Sequence, residues 1–209
     1  MPAQPIFGDS ARRHLGLLSI EETAALADSG VVIPDPTSTL VSPDVAFGEG
    51  VVLWPGTILQ RCDGGSLELG AGTILYPGTR IVASGGAIRI GRNAEIGEEG
   101  GFTMKAEAGH TTTIGDGARL LGGGSLALSN RIGRGAQILG PIRCQACRLG
   151  DGDTYRDPDP DERGGVLKGS GVARSIHVPQ GWVIQSFDIF ADAVMRPQSH
   201  FHPKVKVAV

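Results

Sequence analysis

Apolar residues recur every six positions through most of this chain. The longest unbroken series has ten members: Ile90, Ile96, Phe102, Ala108, Ile114, Leu120, Leu126, Ile132, Ile138 and Cys144. Neither an α-helix nor a free-standing strand has this period. A chain that turns a corner every six residues does have it, and three such sides close a coil of about 18 residues whose neighbours pair as short parallel strands. The period therefore predicts an all-β parallel β-helix of hexapeptide repeats.

The hexads continue on both sides of this series, with breaks. Shorter series place further apolar residues at the same interval: Val41, Phe47, Leu53 and Leu59, then Leu69, Leu75 and Ile81, and later Val166, Val172, Val178, Ile184 and Phe190. The phase is interrupted around 62–65, around 84–86, and in the charged segment 154–163. Residues inserted into a solenoid must leave it as loops, commonly on a binding face, so we expect loops at these three places.

The composition fits this fold and excludes several classes of function. The chain has 33 glycines in 209 residues but only ten aromatic residues (Phe 6, Trp 2, Tyr 2), as expected for tight corners and a narrow core. A net charge of -3 provides no basic field for nucleic acid. No apolar run approaches the roughly 18 residues of a membrane span, and the first residues show no secretory signal. With three cysteines and no disulfide framework, we expect a cytoplasmic protein.

The two ends of the chain differ from the hexads. Ser19 and Glu22 have the spacing of a capping box, which predicts a short helix from about Ile20 to Asp28 covering the first coil. The sequence therefore divides into an N-terminal arm and capping helix (1–33), the β-helix (34–192) and a C-terminal tail (193–209).

Segment 26–39, LADSGVVIPDPTST, leads directly into the first hexads. It resembles the start of the C-terminal acetyltransferase domain of the bifunctional N-acetylglucosamine-1-phosphate uridylyltransferase/glucosamine-1-phosphate acetyltransferase, within the hexapeptide-repeat acyltransferase superfamily. The resemblance implies a left-handed β-helix and a homotrimer with sites in the clefts between prisms. It also implies acetyl-CoA as the acyl donor and a small-molecule acceptor.

A second segment, 108–116 (AGHTTTIGD), is similar to the one that carries the catalytic histidine in that family. The resemblance implies that His110 is a general base that takes a proton from the acceptor amine or hydroxyl. A histidine suits this task because its pKa lies near neutral pH. Upstream, segment 101–105 (GFTMK) is similar to a family segment ending in lysine, which implies that Lys105 is a charge partner for an anionic acceptor.

Other family positions carry different residues here. Thr113 stands where the family has a tyrosine, and Tyr76 stands where it has an arginine before Pro-Gly-Thr. Tyr155 and Arg156 lie in a region comparable to a family loop, so we take Tyr76, Tyr155 and Arg156 as substrate-binding candidates. Two functions remain open. One is an acyl-CoA-dependent acyltransferase acting on a sugar-like or small amine/hydroxyl acceptor, and the alternative is a non-catalytic β-helix structural or assembly protein.

No metal is expected. Cys144 and Cys147 have CxxC spacing, but Cys144 occupies an inward hexad position, which predicts core packing. His200 and His202 supply two imidazoles on one extended segment, and the remaining histidines do not fall at a three-histidine pattern.

Overall fold

The computed structural model describes residues 8–203 and shows a β-solenoid. Three sheets of mostly parallel strands stack as the sides of a prism, in which each strand pairs with the strands one coil before and after it. With its short N-terminal helix, this architecture is consistent with the all-β left-handed parallel β-helix expected from the sequence.

The strands are short, and we name the sheets I, II and III. Sheet I contains Leu40–Val41, Ile58–Cys62, Arg80–Ser84, Thr103–Glu107, Ser125–Ala127, Ile142–Gln145 and Gly171–Arg174. Sheet II contains Ala46–Phe47, Ser66–Leu69, Ala87–Ile90, Thr111–Ile114, Arg131–Ile132, Arg148–Leu149 and His177–Val178. Sheet III contains Val52–Leu53, Ile74–Leu75, Glu95–Ile96, Arg119–Leu121, Gln137–Leu139, Val166–Gly169, Trp182–Ser186 and the antiparallel Met195–Pro197.

The core consists of columns of apolar side chains, one from each coil. In sheet I, Ile81 is in register with Leu59 on one side and Met104 on the other, and all three are fully buried. Buried threonines stand near the corners: Thr57 Oγ1 donates to Trp54 O at 2.6 Å, and Thr73 Oγ1 donates to Gly91 O at 2.8 Å. Their hydroxyls satisfy corner carbonyls that the strand ladders leave open.

The long hexad series is continuous in sequence but not in space. Ala108 is exposed in a turn, and Met104 takes the inward position, in register with Ile81 and Leu126. Met104 lies eight residues after Ile96 and ten before Ile114. The chain forms only two sides of the prism between Ile96 and Ile114, yet these 18 residues equal three hexads. The two sides therefore contain six residues more than two hexads would, and because six is one whole hexad, the apolar residues after Ile114 keep the spacing of those before Ile96.

A shift of one residue affects the later series. Leu167 is in register with Ile138, and Ala173 with Cys144, so these two residues point inward where the hexads predicted Val166 and Val172. The side from Ala173 to Val178 spans five residues instead of six, as does the side from Cys144 to Leu149 one coil earlier, so Leu167 and Ala173 lie one residue out of phase with Val178 and Ile184.

The three predicted insertions all leave the prism as loops. The turns at 63–65 and 85–86 lie at the corner between sheets I and II, where an unpredicted turn at 108–110 stacks on them. The strands on both sides of these turns have four or five residues, and they bury Leu67, Ile88 and Thr112 beneath the corner. The third insertion follows sheet II and contains a 3₁₀ turn, Pro160–Glu162.

Helices cover the first coil. The capping box is confirmed: Ser19 Oγ accepts from Glu22 N at 3.1 Å, and Glu22 Oε2 accepts from Ser19 N at 2.7 Å. It begins helix α2 (Ile20–Ala25), which continues as a 3₁₀ turn over Leu26–Ser29. A helix that the sequence did not predict, α1 (Asp9–His14), precedes it.

The other end carries two 3₁₀ turns, Phe190–Asp192 and Gln198–His200, on either side of the antiparallel strand. Residues 1–7 of the expected arm and 204–209 of the expected tail lie outside the described residues. Within 8–203, no helix is both long and apolar enough to cross a membrane.

Candidate functional site

His110 lies at the end of the turn between sheets I and II. Its amide donates to Glu107 O at 2.9 Å, and its carbonyl accepts from Ala87 N at 3.0 Å, so its backbone is held on both sides. Gly86 lets the turn below approach this closely, because a Cβ there would collide with the carbonyl oxygens of Glu107 and His110. The half-buried imidazole is therefore presented by a stacked, hydrogen-bonded corner.

Ser129, on the next coil, holds the imidazole. Nδ1 of His110 lies 3.3 Å from Ser129 Oγ, which also accepts from Thr111 N at 3.2 Å. A serine hydroxyl oxygen can accept two hydrogen bonds, so it can receive both N–H groups at once. In that arrangement Nδ1 carries the proton and Nε2 is an acceptor, and Nε2 makes no hydrogen bond to residues 8–203.

Lys105 lies on the outer face of sheet I, close to this corner. Its Nζ is 2.6 Å from Glu107 Oε1, and both side chains are exposed. The hydrogen bond and charge of Lys105 hold the pKa of Glu107 below its ordinary value, with a smaller contribution from His110. Lys105 thus shares an ion pair with Glu107 beside the histidine.

The remaining candidates form a second cluster, on sheet III. The guanidinium of Arg119 lies over the Tyr155 ring, 4.0 Å from its centroid, and that of Arg156 lies 5.1 Å from it. Arg156 Nε donates to the Tyr155 hydroxyl at 3.0 Å. The loop 154–163 therefore folds back over the sheet, where the Arg119 guanidinium holds it through the Tyr155 ring.

Acidic residues complete this cluster. Arg119 Nε lies 2.8 Å from Glu95 Oε2, and its Nη2 lies 3.4 Å from Glu98 Oε2. Burial raises the pKa of the Tyr76 phenol, and the charges of Glu98 and Glu95 raise it further, while Arg119 opposes them. A cavity of about 360 Å³ opens beside the cluster, lined by Gly72, Ile74, Asn93, Glu95, Gly117, Thr154, Tyr155 and Arg156.

The structure brings Tyr76, Tyr155 and Arg156 together but separates them from His110 and Lys105. The first group lies on sheet III, whereas His110 and Lys105 lie at the corner of sheets I and II. Within residues 8–203, no hydrogen bond, ion pair or ring contact joins the two groups. A single prism therefore presents two separate clusters of candidate residues on different faces.

The sequence interpretation missed Arg119, Glu95 and Ser129. Glu95 and Arg119 each precede an inward residue, and they are in register on adjacent coils, so opposite charges at equivalent outward positions are the signal that identifies them. Ser129 has no such signal, because its contact with His110 depends on the unpredicted turn at 108–110.

The cysteine pair is structural in its placement. Cys144 and Cys147 are both buried, and Cys147 Sγ lies 3.3 Å from Ala173 O within the core. A hydrogen bond between the two thiols lowers the pKa of Cys147 and raises that of Cys144. Across the described chain, no three His, Cys, Asp or Glu side chains are grouped so that they could hold a metal ion.

Comparison with known proteins adds no family assignment. No protein-family model matches the chain, and no curated protein matches it in sequence.

Proposed function

We propose that this chain is an acyl-CoA-dependent acyltransferase that acts on a sugar-like or small amine/hydroxyl acceptor. The observation that carries the proposal is His110, an imidazole presented on a rigid corner with Nδ1 against Ser129 Oγ and Nε2 open. The resemblance of segment 108–116 to the catalytic segment of hexapeptide-repeat acyltransferases points to the same residue. The β-solenoid is compatible with that superfamily.

In the proposed reaction, Nε2 of His110 takes the proton from the acceptor N–H or O–H as the acceptor attacks the thioester carbonyl of acetyl-CoA. The carbon–sulfur bond then breaks, the acyl group stays on the acceptor, and the imidazolium returns its proton to the departing thiolate. Such proton transfer contributes about 10²–10⁴-fold to a rate, and positioning of the two substrates supplies much of the remainder.

A homotrimer is part of the proposal. In one chain, His110 lies apart from Tyr76, Tyr155 and Arg156, so an active site that uses all of them requires the corner of one prism to face sheet III of another. The phenol and guanidinium groups on sheet III would then bind the acceptor or donor opposite the histidine. Lys105, paired with Glu107, would exchange that partner for an anionic group of the acceptor.

The test is the rate of CoA thiol release from acetyl-CoA in the presence of a panel of amino sugars and small amines. We expect His110→Gln to lower this rate by about 10²–10⁴-fold, as loss of a general base does. His177→Gln, which changes an exposed histidine on the outer face of sheet II, is the matched control and should leave the rate unchanged. Full activity in His110→Gln would remove His110 from the mechanism.

The second candidate function is a non-catalytic structural or assembly protein. It is favoured by the separation of the two clusters of candidate residues and by the ion pair that already occupies Lys105. In that case the wild-type protein consumes no thioester with any acceptor of the panel.

A further inference from the structure

A cavity of about 240 Å³ lies on the outer face of sheet III, between the loop 154–163 and the C-terminal segment after Met195–Pro197. It is separate from the His110 corner. Side chains from three strands of the sheet, from the loop and from the C-terminal segment line it: Gln137, Leu139, Tyr155, Arg163, Val166, Lys168, Val183, Gln198, Phe201 and His202.

The floor of the cavity contains a largely buried glutamine whose carboxamide has no partner among the described residues. Gln137 is only 6% exposed, and its carboxamide makes no hydrogen bond to residues 8–203. No buried side-chain nitrogen or oxygen in this part of the chain is left unsatisfied, so the carboxamide must open onto the cavity. By contrast, Gln198 in the wall is committed to the fold, because its Nε2 donates to Gly164 O at 2.7 Å.

The charged groups that line the cavity are all basic. Lys168 makes no ion pair or hydrogen bond through its ammonium to the described residues. Arg163 is held in place by Nε and Nη2, which donate to Asp157 O at 2.9 and 2.5 Å. No aspartate or glutamate lines this cavity, although the chain as a whole is acidic. The cavity therefore favours a negative charge.

The rest of the wall is apolar. Leu139, Val166, Val183 and Phe201 face the same space, and Phe201 closes one side from the C-terminal segment. A purely inorganic anion would leave this surface wet, whereas a molecule with a hydrocarbon part would cover it.

We propose that this cavity is a binding site for a small carboxylate with a short hydrocarbon chain. The Lys168 ammonium pairs with the carboxylate, the Gln137 carboxamide donates a hydrogen bond to it, and the hydrocarbon chain packs on Val183 and Phe201. The cavity shares Tyr155 with the candidate groups of the acyltransferase site, but neither His110 nor Lys105 lines it, so binding of the carboxylate does not require acyl transfer.

Calorimetric titration of the full chain with sodium hexanoate tests the site, with 1-hexanol as the uncharged probe of equal chain length. We expect saturable binding of hexanoate to one site per chain and binding of hexanol at least tenfold weaker, because a charge-assisted hydrogen bond contributes a factor of this size. Equal affinity for both probes, or no saturable binding of hexanoate, would overturn the proposal.

Two variants localise the site. Lys168→Gln and Gln137→Leu should each weaken hexanoate binding about tenfold while leaving hexanol unaffected or bound more tightly. Arg148→Gln, which removes an exposed positive charge on sheet II, is the matched control and should bind hexanoate like the wild type. Should Gln137→Leu fail to fold, the exposed Lys168 still decides the matter, since unchanged hexanoate affinity in Lys168→Gln contradicts the proposal.

Discussion

Alternate side chains of the strand Thr103–Glu107 have opposite environments, and the strand ends within one residue of a solvent-exposed turn. Ala106 is fully buried opposite Ala83, whereas Ala108, two residues later, is exposed in the turn before His110. These two alanines are only two residues apart, yet one position excludes a charged side chain and the other admits it. They therefore form a matched pair for substitution.

We expect Ala106→Asp to destabilise the protein by about 3 kcal/mol or more, because it places a carboxylate in the core without a partner. Ala108→Asp should change the free energy of unfolding by no more than about 0.5 kcal/mol, since its side chain reaches water. Denaturant unfolding of both variants measures the difference. If Ala108→Asp proved as damaging as Ala106→Asp, the hexad phase rather than the described turn would be right.

This pair also shows how far the sequence alone leads. The repeat predicted the solenoid, the three loops and most inward residues, because each coil imposes the same spacing on its apolar residues. It could not predict that Met104 replaces Ala108 in the core, since the additional residues around that strand sum to a whole hexad. It placed Tyr155 and Arg156 in a loop, but the contact of Tyr155 with Arg119 depends on how that loop folds back.

Tyr76 gives a prediction about pH. Burial and the charges of Glu98 and Glu95 raise its pKa above the usual value of about 10. A raised pKa in the folded state means that stability is complete below about pH 10 and falls as the pH rises through the folded value. Alkaline titration of tyrosinate absorbance should therefore contain a component above pH 10 that disappears in Tyr76→Phe. The absorbance change that remains in this variant comes from Tyr155, the other tyrosine of the chain. Loss of a component at or below pH 10 would contradict this environment.

Among the elements, helix α1 is fastened to the first coil by a single buried side chain. The Arg12 guanidinium donates to Thr39 O and Pro36 O at 3.1 Å and to Thr37 O at 2.5 Å. Its neighbour Arg13 is exposed and pairs with Glu22 at 3.2 Å. Because a solenoid is stabilised between neighbouring repeats, loss of Arg12 should loosen the N-terminal end more than the distant coils.

We expect Arg12→Met to accelerate hydrogen exchange of the α1 and α2 amides by about tenfold or more, because it leaves several carbonyls without donors. Arg13→Met should change these rates little, since exposed ion pairs contribute at most about 1 kcal/mol. Amides of the strand Gln137–Leu139, far along the prism, serve as the internal reference. Equal protection of α1 in Arg12→Met and in wild type would show that the helix is held by other contacts.

At the scale of the whole molecule, the proposed homotrimer rests on the distribution of the candidate residues over different faces of the prism. His110 lies at one corner of the prism, and the Tyr76–Tyr155 cluster lies on sheet III. Phe187 and Val194 are 75% and 67% exposed, and a contact between chains would remove such apolar surface from water. In the proposed homotrimer, the corner of one prism that carries His110 faces sheet III of another, and exposed apolar side chains are covered between chains.

Sedimentation equilibrium provides the corresponding measurement. The proposed trimer predicts a particle of three times the 21.7 kDa chain mass over a wide range of concentration. A particle with the mass of a single chain at every concentration would leave His110 without the sheet III residues and would contradict a shared site.

Calorimetric titration of acetyl-CoA into the purified protein tests the proposed acyltransferase most directly, with free CoA as the comparison. We predict saturable binding of acetyl-CoA with about one site per chain, retained in His110→Gln because the histidine acts on the acceptor proton rather than on the donor's binding. Absence of any heat of binding at millimolar acetyl-CoA would contradict the acyltransferase and leave the structural or assembly role in its place.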